Sequence, residues 1–178
     1  IFTLTKFFFK TFEMKSNDSF YIDFEFGQIY HLFTRVNGSE LLFRQESNYI
    51  YFLEKITKYL VPILDVYAYC LAPQRFSLLV CFKSSEQISD FFKLTEEELF
   101  AKNTHKYLMQ PLSNMLNSYS KSYNKMYKRR GALFVDYIKR EKLEDVDSMK
   151  LVFRTIHQIP IQNRLVTNLA EWKFSSLH

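Results

Sequence analysis

Glycine and proline are scarce in this chain of 178 residues, which contains 3 Gly and 4 Pro. So few turn-forming residues leave little room for loops, and they predict long helices and well-formed strands. The sequence has no internal repeat, no low-complexity tract and no interdomain linker. Since the length is typical of one domain, we expect a single domain with a substantial core.

Several catalytic and targeting motifs are absent. The sequence contains no Gly-rich phosphate loop, no Gly-x-Ser-x-Gly turn and no His-Glu-x-x-His helix. Segment 1–12 is apolar, but Lys6 and Lys10 interrupt it and no small-x-small cleavage site follows, which argues against a signal peptide. No apolar run approaches the roughly 20 residues of a spanning helix, so we expect no membrane partner.

Cysteine is also rare, and Cys70 and Cys81 lack the spacing of a metal site. Both lie in predicted strands, where buried free thiols are the ordinary interpretation. Free thiols favour a reducing compartment, so the expected location is the cytoplasm.

Aromatic residues, by contrast, are abundant. The chain has 19 Phe and 12 Tyr, and 47% of its residues are hydrophobic, which excludes a disordered protein. The net charge is +5 with a pI of about 9.1, which is compatible with a polyanionic partner.

Hydrophobic periodicity predicts the element order β-α-β-β-α-β-α. The predicted strands are 24–35, 63–71, 76–83 and 132–142, and the predicted helices are 46–60, 105–128 and 147–159, with a further helical region from Ser84 and a capping box at Thr95–Glu98. We expect a turn at Asn37-Gly38, a break or first-turn position at Pro111, and helix ends at Gly131 and before Pro160. A split β-α-β unit with antiparallel neighbours predicts a ferredoxin-like α/β (α+β) sandwich, an antiparallel sheet packed against helices.

The segment Ala68-Tyr-Cys-Leu-Ala-Pro-Gln-Arg-Phe-Ser-Leu-Leu-Val80 resembles the metal-binding strand of the single-tyrosine transposases that cut single-stranded DNA. These are the REP-associated family and its insertion-sequence relatives, which read Ala-Tyr-Cys-Leu-Met-Pro-Asn-His-Phe-His-Leu-Leu here. Arg75 and Ser77 stand where the two histidines are expected. Further similar segments follow in the same order, at Gly27–Arg35, Ser118–Lys125, Gly131–Phe134, Ile156–Pro160 and Glu171–Ser176. In the segment Ile156–Pro160, Ile159 stands where the family usually has an asparagine. The resemblance implies a transposase-like domain over 24–178, preceded by an N-terminal extension over 1–23.

In that family the histidine pair and a polar residue on the tyrosine helix hold Mg²⁺ or Mn²⁺, and the tyrosine attacks a scissile phosphate. The resemblance places the nucleophile at Tyr119 and the third ligand near Tyr123 or Asn124. By its helical stripe alone, Tyr119 is a core residue. A guanidinium at position 75 cannot deprotonate and repels a cation, and Ser77 offers one neutral oxygen. We therefore expect that the metal site is lost and that no cofactor is bound.

A basic segment near the predicted nucleophile suggests DNA binding. Five cations fall in ten residues with no acid, and two tyrosines are interleaved with them: Lys121, Lys125, Lys128, Arg129 and Arg130, with Tyr123 and Tyr127. Clustered cations bind phosphates by counterion release, and tyrosines stack bases. Cations at a helix end also favour its dipole without any ligand. Lys139, Arg140 and Lys142 continue the basic run, and Arg75 could bind a phosphate or make an ordinary ion pair.

Three hypotheses follow from these observations. The leading one is a transposase-like protein that binds single-stranded or hairpin DNA without metal-dependent cleavage. The second is an active enzyme with a rearranged site, for which His31 could be recruited near Tyr119. The third is a protein-interaction module that kept the fold. Relatives act as dimers or as monomers, so a homodimer is possible.

Overall fold

Four strands form one antiparallel sheet, and its long strands are rich in apolar residues. The computed structural model describes residues 21–36, 40–101, 103–134 and 138–177. In these residues the strands are β1 Ile29–Arg35, β2 Leu64–Ala72, β3 Arg75–Phe82 and β4 Lys139–Lys142, in the sheet order β2-β3-β1-β4. Every neighbouring pair is antiparallel. The expected single α+β domain with a ferredoxin-like sheet is confirmed.

The described residues also form five α-helices and one 3-10 turn. They are α1 Glu46–Tyr59, α2 Ser85–Phe92, α3 Glu96–Ala101, α4 Thr104–Met126, α5 Val146–Gln162 and the 3-10 turn Leu169–Glu171. The predicted capping box before α3 is confirmed, since the Glu98 amide donates to Thr95 Oγ1 and the Thr95 amide donates to the Glu98 carboxylate. None of the described helices is long and apolar enough to cross a membrane.

The sheet has two differently covered faces because side chains alternate along each strand. On one face Phe76, Leu78 and Val80 of β3 belong to the main core, which α1 and α4 complete. On the other face Leu79 belongs to a second cluster with Ala68, Cys70 and Ala72 of β2, which Val152, Ile156 and Ile159 of α5 cover. The sheet therefore separates α1 and α4 from α5.

Several predicted boundaries were wrong. The first strand begins at Ile29 and not at 24, because Gly27 adopts φ +67° in a turn and donates to the Lys83 carbonyl. Both prolines lie inside helices: α4 continues through Pro111 and α5 through Pro160. Both are buried, so core packing outweighs the backbone hydrogen bond that each proline removes.

The end of α4 also differs from the prediction. The helix ends at Met126, and Lys128 adopts the left-handed conformation expected of Gly131, which follows with φ +89°. The fourth strand is confined to Lys139–Lys142, although Phe134 forms an isolated bridge with Val36. Asn37-Gly38, residues 135–137 and residues 1–20 lie outside the described residues.

The C-terminal tail lies along β2. The Trp172 indole donates to the Leu71 carbonyl at 3.0 Å, and the Leu71 amide donates to the Phe174 carbonyl at 2.9 Å. His157 Nε2 lies 2.9 Å from Ser176 Oγ, so this histidine also bonds the tail.

Candidate nucleic-acid interface

Positions 75 and 77 lie on the α5 side of the sheet. Ser77 is 1% exposed, and its Oγ lies 2.6 Å from Nε2 of His31, which is also buried. Opposite Ser77 on β2, burial raises the pKa of the Cys70 thiol to about 12, an effect that the Arg75 charge opposes. Ser77 is thus a buried hydroxyl bonded to a histidine, in a closed part of the fold.

Tyr119 lies on the opposite side of the sheet. Its side chain is 1% exposed, its ring packs edge-on against Phe52, and its hydroxyl donates to the Leu42 carbonyl at 2.6 Å. Burial raises the pKa of this phenol well above its ordinary value. The structure therefore does not bring Tyr119 together with Arg75, Ser77 or His31.

The two positions considered for a third metal ligand are occupied by other contacts. Tyr123 donates its hydroxyl hydrogen to the Leu41 carbonyl. The Asn124 amide donates to the Gly131 carbonyl at 2.9 Å and accepts from Arg129 at 3.0 Å. Among the described residues, no group of three His, Cys, Asp or Glu side chains could hold a metal ion.

Three members of the predicted DNA-binding set instead hold the domain together. Tyr123 is 2% exposed, so its ring cannot stack a base in this conformation. The Tyr127 hydroxyl donates to Asn48 Oδ1 at 2.7 Å, and the Arg44 guanidinium lies 4.5 Å from its ring centroid. Arg129 binds the Glu40 carboxylate and donates to the Ala132 carbonyl at 2.9 Å. These contacts fasten the segment around residue 40 to the end of α4.

The basic run beyond the helix is structural as well. Arg140 is 5% exposed, donates to the carbonyls of Tyr21 and Ile22, and lies 4.9 Å above the Phe24 ring. Lys142 forms an ion pair with Glu25 at 2.8 Å. These contacts pack the chain onto the sheet from Tyr21, shortly before the predicted domain start at 24.

Four cations of the predicted set remain accessible. Lys121, Lys125, Lys128 and Arg130 are exposed, and within the described part of the chain they form no ion pair or side-chain hydrogen bond. Lys121 and Lys125 are four residues apart, which places them on one side of α4, and Lys128 follows just after the helix end.

The same side of α4 is polar for most of its length. Its exposed residues recur every three or four positions and are Lys106, Gln110, Asn114, Asn117, Lys121 and Lys125. We call these six residues, with Lys128, the α4 polar face. Helix α4 contains no Asp or Glu in its 23 residues. Only the basic end of this face was predicted from the sequence. The polar residues that recur every three or four positions from Lys106 onward would have predicted the rest of the face.

No protein-family model and no curated protein matches the chain. Its structure is similar to a solved structure of a REP-associated tyrosine transposase bound to a REP hairpin. The TM-score is 0.59 with 10% sequence identity, over 93% of this chain and 84% of that chain. The similarity is one of fold. It agrees with the architecture that the sequence resemblance implied.

Proposed function

We propose that this protein binds single-stranded or hairpin DNA through the α4 polar face, without metal-dependent strand cleavage. The observation that carries this proposal is a long exposed helix face with accessible lysines and no carboxylate in the helix. The fold comparison supports it, since the similar transposase was solved with a bound hairpin.

The chemistry of the α4 polar face suits a phosphate backbone. Lys121, Lys125 and Lys128 can each displace condensed counterions from a nucleic acid, which drives binding at low salt. The amides of Asn114 and Asn117 can donate to phosphate oxygens or to base edges without adding charge. A surface of this kind holds the strand without demanding one sequence.

The proposed lack of cleavage is supported by three observations. The Arg75 guanidinium carries a fixed positive charge. Ser77 is buried against His31, and Tyr119 is buried with its hydroxyl bonded to the backbone on the other side of the sheet. Tyr119 would have to leave the core to attack a phosphate, and it would then find no metal-binding pair beside it.

The remaining expectations stay predictions. Both cysteines are free, with Cys70 buried and Cys81 half-buried, and the cytoplasmic location predicted from them is untested. A homodimer is likewise a prediction, which light scattering with and without DNA would test.

Fluorescence anisotropy with labelled single-stranded and hairpin oligonucleotides, at two salt concentrations and with or without Mn²⁺, tests the proposed function. We expect affinity that falls with salt, is unaffected by metal, and yields no covalent adduct on denaturing gels. A Mn²⁺-dependent adduct that Tyr119→Phe abolishes would establish the active-enzyme alternative. Absence of binding at low salt would favour an interaction module.

A further inference from the structure

Tyr51 of α1 forms an unusual contact beside the α4 polar face. Its hydroxyl lies 2.8 Å from Ser122 Oγ on α4, and the Lys55 ammonium lies 4.5 Å from the Tyr51 ring centroid. Tyr51, Lys55 and Ser122 are all partly exposed. Two hydroxyls and one ammonium from two packed helices therefore meet at the surface, next to Lys121.

The donors in this cluster exceed the acceptors. The hydrogen bond between Tyr51 and Ser122 uses one of the two protons of this pair. The Ser118 hydroxyl, which also bonds Tyr51, brings a proton of its own, so one O–H group remains able to donate. Lys55 forms no ion pair with a described carboxylate. The buried tyrosines on α4 differ, because Tyr119 and Tyr123 both donate to backbone carbonyls.

The electrostatics agree with an anion-binding site. The hydrogen bond with Lys55 has the largest effect on the pKa of Tyr51 and lowers it below its ordinary value. The hydrogen bond with Ser122 lowers this pKa further. A donor-rich cluster that stabilises a phenolate would also stabilise the oxygens of a bound anion.

We propose that Tyr51, Lys55 and Ser122 form a phosphate-binding site that receives one phosphodiester of a single-stranded DNA backbone. The inference rests on the proposed function for its ligand and extends it to a second helix. A strand lying along Lys121 and Lys125 would then be fixed from the α1 side by hydroxyl and ammonium donors. The free proton of the hydroxyl pair and the Lys55 ammonium would donate to the two non-bridging oxygens.

The test compares single-stranded DNA binding by Tyr51→Phe and Lys55→Gln with that of matched controls on the same helix. Tyr59→Phe and Lys58→Gln are the controls. No hydroxyl partner bonds Tyr59 in the described residues, and Phe keeps the ring that Lys58 faces at 5.5 Å and Lys55 at 6.0 Å. We expect Tyr51→Phe to weaken binding about two- to tenfold with an unchanged salt slope, because it removes a neutral hydrogen bond. Lys55→Gln should weaken binding and lower the slope by about 0.7. Thermal melts show whether each variant is folded.

The outcomes separate this site from the proposed function. If wild-type protein binds DNA and Tyr51→Phe binds equally well, the proposed phosphate-binding site is wrong. DNA binding by the α4 polar face would then remain supported. If wild-type protein does not bind DNA, inorganic phosphate is titrated while amide NMR shifts are followed. Saturable shifts confined to Tyr51 and Ser122 would overturn the assignment to DNA while supporting a phosphate site. Absence of such shifts would overturn the site itself.

Discussion

Replacing Lys121, Lys125 and Lys128 together with Gln is the most direct test of the α4 polar face. These lysines are exposed and lack ion pairs in the described part of the chain, so removing their charges should leave the fold intact. Gln keeps most of the side-chain length and has good helix propensity, which limits effects on α4 itself. A change in DNA binding would then report on charge.

The expected magnitude follows from counterion release. Each phosphate neutralised on a single strand contributes about 0.7 to the slope of log affinity against log salt. Three contacts contribute about 2.1, which corresponds to roughly 18-fold weaker binding when salt rises fourfold. We expect the triple variant to lose this share of the salt dependence and to bind more weakly at low salt.

The assay is fluorescence anisotropy with one oligonucleotide over a range of salt concentrations. The control carries Lys93→Gln, Arg154→Gln and Arg164→Gln, which remove the same charge from exposed positions outside α4 that form no ion pair within the described residues. We expect this control to keep nearly the full slope. Equal slopes in the two triple variants would refute a localised interface, because general attraction to net positive charge would then explain the binding.

Three further predictions concern residues inside the fold. Tyr119→Phe should destabilise the protein by about 1–2 kcal/mol in urea unfolding, because it leaves the Leu42 carbonyl without its donor, and should leave DNA affinity unchanged. Glu40→Gln should cost about 1 kcal/mol, because it weakens the partly exposed pair with Arg129. Burial, together with the Arg140 charge, lowers the pKa of His105, so the unfolded chain binds a proton more readily than the folded one. Stability should therefore be complete above about pH 6.5 and fall as the pH drops below it, and His105→Gln should remove this dependence.

The sequence predicted the sheet well because its strands carry local signals. Short apolar segments predicted β2 and β3, and the short link at Pro73 implied their hairpin, which the structure has. The errors lie where tertiary packing outweighs local preference. Pro111 and Pro160 suggested a break and a helix end, but both are buried within continuous helices. Helix propensity describes an isolated segment and not one held by a core.

The candidate interface was harder to predict, because the sequence does not show whether a charged side chain is paired with another group in the fold. Arg129 was predicted to bind DNA, yet it pairs with Glu40. Arg140 was part of the basic run that supported this prediction, yet it bonds the backbone carbonyl of Tyr21. Those partners are distant in sequence, so no local pattern reveals them. Tyr51 escaped attention for the same reason, because its partner Ser122 lies on another helix.

Three departures from the transposase pattern lie on the same side of the sheet, at positions 75, 77 and 159. Where the resembling family has two histidines and an asparagine, this chain has Arg75, a Ser77 bonded to His31, and an Ile159 that is 2% exposed. Ile159 joins the apolar cluster that α5 forms over β2. The departures are therefore connected in space: all three lie on the face of the sheet that α5 covers, where Ser77 and Ile159 are buried and Arg75 is half-buried.

Restoring the histidines should consequently fail to restore a site. In an Arg75→His/Ser77→His variant, the imidazole at position 77 would replace a 1% exposed serine that already touches His31. Overpacking of this kind costs roughly 1–3 kcal/mol, and Tyr119 would still lie across the sheet. We expect a less stable protein that shows no Mn²⁺-dependent adduct with DNA. Formation of an adduct would show that the core opens far enough to release Tyr119. It would contradict the separation of Tyr119 from positions 75 and 77 by the sheet.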